Sequence, residues 1–367
     1  MKHPNKISTR TRVQTVSFLL CLVLGAVFYL FVTQLSQGQT PMVSRPAGVE
    51  AFLPISALLS FRYWVETGIF STIHPAALVL LLIICATALL AKRGFCSWIC
   101  PVGFISDLLA KVNRRLFPKR PTLPRWLDRG LMLVKYGLLA FFVYTIFFTM
   151  PVQALAQFIH SPYNQFADIK MLEFFTQMTA KTGIILTVLA LLSTIFPYFW
   201  CRYLCPYGAL LGVLSFLSLG RIKRNPEACI NCGQCEKNCP GQIKIISGTT
   251  VTSPECSACL TCTEVCPKTD AIAFHAGPRR LGTTGVAVII VGLFALGITT
   301  AKLTGYWNTS IPLAAYQAHL APKPPMGRMP FPMGKMPPNA LPKDPEKLQR
   351  MMEKIQQMQQ RSQMKQP

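Results

Sequence analysis

Two cysteine runs in the second half of the chain have the spacing of an iron–sulfur protein. Residues 229–240 read CINCGQCEKNCP and residues 256–267 read CSACLTCTEVCP, so each run is Cys-x2-Cys-x2-Cys-x3-Cys-Pro. In this pattern three thiolates of a run bind one [4Fe–4S] cluster, and the fourth cysteine binds the cluster of the other run. The spacing therefore predicts two clusters, one held by Cys229, Cys232, Cys235 and Cys266 and the other by Cys239, Cys256, Cys259 and Cys262.

A zinc ribbon is the alternative for these eight cysteines, because paired Cys-x2-Cys units also form tetrahedral zinc sites. Zinc would leave the third and fourth cysteine of each run, and both Cys-Pro steps, without a role. The chain contains no Gly-x-Gly-x-x-Gly sequence and no Walker loop that would handle a hydride or a nucleotide. The prediction is a small α+β ferredoxin-like domain that conducts electrons, with short strands at 243–246 and 271–274.

Four further cysteines lie in two similar segments, FCSWICPVG at 95–103 and WCRYLCPYG at 200–208. Residues four apart share one face of a helix, so Cys96 and Cys100, and likewise Cys201 and Cys205, are expected to point together. The two pairs then converge at one membrane boundary. Four such thiols suit a further metal or iron–sulfur centre, a pair of exchangeable dithiols, or packing alone, and the spacing leaves these three open.

The apolar sequence predicts a polytopic α-helical membrane protein with about five spans. Hydrophobic residues make up 51% of the 367 residues, and only 14% are charged. Five nearly uncharged stretches approach the roughly 20 residues that a spanning helix needs, at 13–32, 75–91, 131–150, 183–200 and 281–301. The length of the first favours a retained anchor over a signal peptide. The third contains Lys135, which is expected to reach the membrane surface near the helix end.

The two Cys-x3-Cys-Pro segments belong to a longer repeated pattern. Each follows an apolar span and precedes first an apolar and then a basic segment, and the second copy is offset by 105 residues from the first. The first four spans therefore predict a duplicated helix-pair core.

The net charge of +23 is distributed along the chain in a pattern that fits a membrane topology rather than a nucleic-acid-binding surface. Nine Lys and Arg residues lie between the second and third spans and nine between the fourth and fifth, whereas the other two connections hold two each. Because basic loops remain in the cytoplasm, the N-terminus and the ferredoxin-like domain are expected there, with the C-terminal tail in the periplasm. Expected partners are the lipid bilayer and other electron-transfer proteins, with no nucleic acid.

These patterns divide the chain into four parts. They are a membrane core with both Cys-x3-Cys-Pro motifs at 1–220, a cytoplasmic two-cluster domain at 221–278, a fifth transmembrane helix at 279–302 and a Pro- and Met-rich tail at 303–367. Within the tail, DPEKLQRMMEKIQQMQQR from Asp344 predicts a short helix. Thioethers bind Cu(I), but the tail methionines at 326, 329, 333 and 336 fit a linker better than a copper site.

Taken with their order, the motifs resemble the NapH family of membrane ferredoxin-type proteins and the C-terminal half of the NosR and NirI regulators, over about residues 10–275. The resemblance implies a bacterial inner-membrane protein that passes electrons from the quinol pool toward a periplasmic nitrate or nitrous-oxide reductase, as a possible quinol-dehydrogenase subunit. A more distant resemblance to CcoG-type accessory proteins implies the alternative, a redox-active assembly or regulatory factor that reduces a metal for maturation of a respiratory enzyme.

Quinol oxidation would also need a quinone site. Candidate residues lie in the amphipathic stretch SFRYWVETGIFSTIH, namely Arg62, Trp64, Glu66 and His74. An ordinary ion pair between Arg62 and Glu66 is the alternative interpretation, because these residues are four apart.

Overall fold

Prolines and glycines divide the apolar sequence into helices of very different lengths. A computed structural model of the chain describes residues 8–117, 121, 123–268 and 270–321. The helices are α1 (Thr9–Ser36), α2 (Pro54–Thr67), α3 (Pro75–Ala91), α4 (Gly94–Trp98), α5 (Pro101–Leu116), α6 (Arg125–Tyr144), α7 (Val152–Ile159), α8 (Pro162–Gln165), α9 (Ala167–Thr176), α10 (Ala180–Ile195), α11 (Pro206–Leu214), α12 (Gln234–Lys237), α13 (Thr261–Glu264), α14 (Thr283–Leu303) and α15 (Leu313–Leu320). Short 3-10 segments lie at Ala47–Phe52 and Ser215–Leu217, and π-helical turns at Thr145–Thr149 and Trp200–Leu204.

Three helices in the described residues are long and apolar enough to cross a membrane. They are α1, α6 with its extension to Thr149, and α14, which match the predicted first, third and fifth spans. The pair α9 and α10 is bent by 80° and makes a fourth if it is one span. The described part of the chain is therefore mostly helical, with three or four membrane-capable helices.

The other two predicted spans do not form long straight helices. Helix α3 has 17 residues and is one of the shorter apolar helices. Helix α10 ends at Ile195, five residues before the predicted end at 200, because Phe196 precedes Pro197 and takes an extended conformation. Tyr198 then has a positive φ of 64°, so the chain turns before the second cysteine motif.

Helix α3 lies at the centre of the helical part. Its sequence is apolar on all sides, as expected for a helix that other helices surround, and α2, α11 and α14 all pack against it. At Gly297 of α14 an added Cβ would lie 2.5 Å from Ile83 Cδ1 of α3, so the missing side chain allows the two helices to approach closely.

The helices that flank the two cysteine motifs pack reciprocally. Helix α5, which follows the first motif, packs against α10, which precedes the second. Helix α11, which follows the second motif, packs against α3, which precedes the first. The helices on either side of the first motif thus each cover a surface of a helix beside the second motif.

The ferredoxin-like part contains a small antiparallel sheet of β1 (Gly220–Arg224), β2 (Ile272–Ala276) and β3 (Arg279–Leu281), in the order β1-β2-β3. Strand β2 matches the strand predicted at 271–274 in position. The strand predicted at 243–246 is wrong, because that segment packs Ile245 into the core at 4% exposure without joining the sheet. At Gly220 an added Cβ would lie 2.3 Å from the Leu90 carbonyl oxygen, so glycine lets the sheet reach the end of α3.

The sheet and the helices share one hydrophobic core. Phe274 and Ile222 of the sheet pack in the same cluster as Trp98 of α4 and Ile290 of α14, and all four are at most 2% exposed. The described residues up to Leu320 accordingly form one compact unit. The tail methionines and the helix predicted from Asp344 lie outside the described residues.

Candidate functional site

The two cysteine runs fold into loops of the same shape. The residue before the second cysteine has a positive φ in both loops, 51° at Asn231 and 46° at Ala258. The residue after it does so too, with 73° at Gly233 and 60° at Leu260. These left-handed residues curl the backbone, and a one-turn helix, α12 or α13, then carries the third cysteine. The alanine and leucine take a conformation that glycine adopts more easily.

A first cavity brings together four of the predicted ligands. These four are Cys229, Cys232, Cys235 and Cys266. The last of them comes from the second run, as the exchange of fourth cysteines requires. The amide of Asn231 and the guanidinium of Arg224 donate to the Cys229 thiol and lower its pKa, which favours the thiolate that binds iron.

A second cavity brings together the other four predicted ligands. These are Cys239, Cys256, Cys259 and Cys262. The amide of Ala258 donates to the Cys256 thiol, as that of Asn231 does in the first loop. Burial raises the pKa of Cys239 to about 11. Such a thiol is neutral on its own, and binding of a metal has to displace its proton.

The two cavities differ in exposure. Cys232 of the first cavity is exposed to solvent, and its other three cysteines are half-buried. Three cysteines of the second cavity, at positions 256, 259 and 262, are at most 9% exposed. The thiols of the first cavity are therefore nearer to water, whereas most of those of the second are covered by protein.

The second loop is enclosed because it lies on the first Cys-x3-Cys-Pro motif. The Ser97 hydroxyl donates to the Ser257 carbonyl oxygen at 2.6 Å, and the Trp98 indole N–H donates to the Ala258 carbonyl oxygen at 3.0 Å. Both donors lie between Cys96 and Cys100 in sequence. Two consecutive hydrogen bonds thus join this motif directly to the backbone of the second cluster loop.

A buried charge cluster reinforces the same contact. Glu255, which precedes Cys256, accepts from Arg93 Nη2 at 3.1 Å and from Lys135 Nζ at 2.7 Å. The expectation that Lys135 reaches the membrane surface is wrong, because its side chain has no exposed area and its charge is paired inside the protein. Burial alone would raise the pKa of Glu255, but Arg93 and Lys135 outweigh it and lower this pKa below the ordinary value.

Arg202, inside the second Cys-x3-Cys-Pro motif, contacts the ferredoxin-like part as well. Its Nη1 donates to the Gly241 carbonyl oxygen at 2.8 Å, in the loop after Cys239, and its Nη2 pairs with Asp128 at 2.8 Å. Each of the two motifs therefore fixes one of the segments that line the second cavity.

The four thiols of these motifs do not pair along continuous helices. Cys96 lies in α4, which ends at Trp98, and Cys100 is extended at the N-cap of α5. Cys201 lies in the π-helical turn and Cys205 is the N-cap of α11. The predicted shared helix face is wrong because a proline follows each second cysteine, and the residue before proline avoids the α conformation.

The thiols nevertheless come together in one buried place. Burial, together with the neighbouring thiols of the group, raises the pKa of Cys96 to about 12 and that of Cys201 to about 11. Burial is also the main cause of the raised pKa of Cys100 and Cys205. The Gly208 amide in the first turn of α11 donates to Cys205 Sγ at 3.3 Å. Unliganded, the four groups are neutral thiols in a low-dielectric site.

No group of three or more His, Cys, Asp or Glu side chains in the described residues is close enough to hold a single metal ion. The thiols instead line two cavities in sets of four. Such a ligand set fits a polynuclear cluster whose irons each bind one cysteine.

Comparisons with known proteins agree with this geometry. A model of a 4Fe-4S binding domain matches residues 73–120 and 182–225, and a model of a 4Fe-4S dicluster domain matches residues 221–272. YccM, an Escherichia coli K12 protein named for electron transport, is 39% identical over 330 residues, which cover 88% of this chain and 92% of YccM. This chain belongs to the ferredoxin-type 4Fe-4S electron-transport family.

Other ferredoxin-type relatives share a smaller part. NapH of Haemophilus influenzae is 29% identical over 205 residues, which cover 52% of this chain and 67% of NapH. NirI of Paracoccus denitrificans is 30% identical over 218 residues, which cover 58% of this chain and 30% of NirI. The resemblance to NapH and NirI is thus confirmed, and no solved structure matches.

Within this ferredoxin-type chain, the candidate quinone residues do not form one site. Arg62 pairs with Glu66 at 2.7 Å and donates to the Ile146 carbonyl oxygen, so it has an ordinary structural role. The Trp64 ring contacts Phe70. His74 belongs to a different, fully buried cluster.

That cluster lies at the end of α3 opposite the cysteine motif. His74 Nδ1 is 3.4 Å from Glu50, and Arg45 bridges Glu50 and Asp168 at 2.8 and 2.7 Å. The Tyr316 hydroxyl donates to Asp168 at 3.1 Å. Sequence reasoning missed these carboxylates, whose only signal is that they are acidic residues in apolar surroundings.

Proposed function

We propose that this protein is a membrane-bound electron carrier with two [4Fe–4S] clusters. One would be held by Cys229, Cys232, Cys235 and Cys266, and the other by Cys239, Cys256, Cys259 and Cys262. The observation that carries the proposal is that two separate cavities are each lined by one of these sets of four. Bound clusters supply one-electron transfer at cysteine sulfur. The protein supplies two matched loops, amide donors to sulfur and a graded exposure to water.

The four thiols at positions 96, 100, 201 and 205 are proposed to hold a further iron–sulfur centre at the membrane boundary. Four thiolates are a complete ligand set. Their burial together supports this role, as does the match of a 4Fe-4S binding domain to both segments that carry them. The reciprocal packing of α5 with α10 and of α11 with α3 supports a duplicated origin of the two halves.

The arrangement suggests an order of electron transfer. The exposed first cavity is followed by the enclosed second one, and the backbone of Ser257 and Ala258 is hydrogen-bonded to Ser97 and Trp98 beside the boundary thiols. Reducing equivalents would then pass between the aqueous side and the membrane through protein rather than through water.

For the pathway, we propose a link between the quinol pool and a periplasmic respiratory reductase, in a bacterial inner membrane with the N-terminus and ferredoxin-like part in the cytoplasm. The relatives NapH and NirI and the alternating Lys and Arg content support this orientation and role. A second candidate is a redox-active regulatory or assembly factor, which the related protein titled regulatory protein NosR supports.

Anaerobic purification with iron counting and EPR tests the cofactor proposal. We expect about eight irons for two cubanes and additional iron for the boundary centre. Replacing all four boundary cysteines by serine should remove only the additional iron, and replacing Cys21 and Cys85 is the matched control that should change nothing. Fewer than about eight irons after careful reconstitution contradicts the two-cluster assignment.

A deletion strain separates the two candidate pathways. Lost respiration with a fully matured terminal reductase supports the electron carrier. Lost respiration with a reductase that lacks its metal supports the assembly factor.

A further inference from the structure

The loop of the first cavity presents its thiols to water. Cys232 is exposed, and Ile230, between the first two cysteines of this loop, is 58% exposed. The corresponding loop of the second cavity is covered, with Ala258 and Leu260 at 1% exposure. The two loops share one backbone shape, so their different exposure follows from where they lie in the fold.

This exposure needs a partner in the aqueous phase. If electrons only passed between a membrane quinol and a reductase across the membrane, a centre at the solvent end of the ferredoxin-like part would be a dead end. A centre that is open to water can instead exchange electrons with a soluble protein that docks over it. This step depends on the electron-carrier function proposed above.

The charges around the first cavity indicate what that partner is like. Arg224 and Lys268 are the charged residues among those that line it, and no carboxylate does so. Two carboxylates of the surrounding segments are engaged, since Glu236 accepts from the Ile246 amide at 2.8 Å and Asp270 pairs with Arg280 at 2.8 Å. A cationic rim complements an anionic surface and speeds its encounter with it.

The centre of the same surface is apolar. An isolated exposed isoleucine is ordinary on a protein surface. Here, however, Ile230 lies between two cluster cysteines and beside a cationic rim. A small apolar centre with a charged rim is suited to the weak, transient contacts of electron-transfer partners, which bury little area. Glu227, the exposed carboxylate just before the loop, does not line the cavity.

We infer that the loop Cys229–Cys235, with Ile230 at its centre and Lys268 and Arg224 at its rim, is the docking site for a small acidic one-electron carrier, an iron–sulfur or flavin protein. One electron moves between the carrier and the cluster of the first cavity, so one partner is oxidised as the other is reduced. No bond forms or breaks.

Binding and electron transfer can be measured separately on the full chain in lipid nanodiscs. Calorimetry with an oxidised plant-type ferredoxin of acidic surface should give a Kd that weakens steeply as salt is added. Stopped-flow mixing with the same ferredoxin in reduced form should give a rate with the same salt dependence. Lys268→Glu should weaken binding roughly tenfold, because it places like charges face to face. Ile230→Ala should weaken binding at all salt concentrations.

Matched controls make the result specific. Lys170→Glu changes an exposed cation of α9 and should leave both measurements unchanged. A basic cytochrome c should bind more weakly than the ferredoxin, and the final extent of cluster reduction by excess dithionite should be the same in every variant. Equal affinity at low and high salt, an unaffected Lys268→Glu variant, or preference for cytochrome c overturns the inference.

Iron counting and EPR on the same samples report on the clusters independently. A preparation with both clusters that does not bind the acidic carrier overturns the docking site alone. A preparation that binds the carrier but holds no iron overturns the electron-carrier function instead.

Discussion

Replacing Glu255 by glutamine removes the negative charge between two buried cations. The carboxylate accepts from Arg93 and Lys135, and the Lys135 side chain has no exposed surface. Glutamine keeps the volume and one acceptor oxygen, so the main loss is the compensation of the lysine charge. Breaking a buried ion pair costs about 3–5 kcal/mol. Because the Glu255 side chain is 11% exposed and water can reach part of it, we expect the lower end, about 3 kcal/mol.

Thermal unfolding of the solubilised protein, followed by circular dichroism, measures this loss. A change of 1 kcal/mol shifts the Tm by about 2–4 °C in domains of 150–250 residues, so 3 kcal/mol corresponds to a fall of about 6–12 °C. The larger size of this chain favours the lower value. Glu173→Gln is the matched control, because it breaks an ion pair of the same 2.7 Å length with Lys170 at the surface. Its effect should stay below about 1 kcal/mol.

A double variant tests the physical reason. Adding Lys135→Gln to Glu255→Gln removes one of the two uncompensated cations and leaves Arg93, so part of the lost stability should return. Equal Tm shifts for Glu255→Gln and Glu173→Gln, or a double variant no more stable than Glu255→Gln alone, would refute the account of a buried charge cluster.

Two further predictions concern single sites. Gly103→Ala should abolish accumulation of folded protein, because its Cβ would lie 1.9 Å from the Cys96 carbonyl oxygen. Gly208→Ala, at the equivalent place in the second motif, should be tolerated, since its nearest neighbour is 3.5 Å away; similar yields of the two variants in detergent extracts contradict this reasoning. Partial burial is the main cause of the lowered pKa of His275, and the positive charges of Lys223 and Arg280 lower it further. The imidazole of His275 therefore takes up a proton more readily in the unfolded chain than in the folded one. The free energy of unfolding should fall as the pH drops through about 6.5. Lys223→Gln should raise the His275 titration midpoint in NMR spectra, and an unchanged midpoint counts against the charge effect.

The cysteine spacing groups the eight thiols into the same two sets that line the two cavities, including the exchange of Cys239 and Cys266 between the runs. Ligand patterns of this kind are local, because a loop has to fold around its cluster within a few residues. The α+β sheet was predicted less well. The segment 243–246 has the composition of a strand, but β1 takes the place beside β2, and residue types do not determine which segment pairs.

The contacts that join the ferredoxin-like part to the helices could not be predicted. Lys135 and Glu255 are 120 residues apart, and nothing in their spacing indicates that they meet. The end of α10 before the second motif could have been predicted. Pro197 is present in the sequence, and a residue that precedes a proline, here Phe196, generally avoids the helical conformation. The sequence predicted that the boundary thiols converge, but it assigned this to shared helix faces. In the structure, Cys100 and Cys205 are instead positioned as helix N-caps.

The reciprocal packing of the two halves has a consequence for biosynthesis. Helix α5 packs against α1 and α4, but its contact with α10 forms only when α10 has been made, and the surface of α3 that α11 covers stays open until the second motif is complete. Every cysteine before that point therefore leaves the ribosome without its final surroundings. In the function proposed above, the first cluster also needs Cys266, so complete insertion of iron and sulfide would come after the chain has grown past this residue.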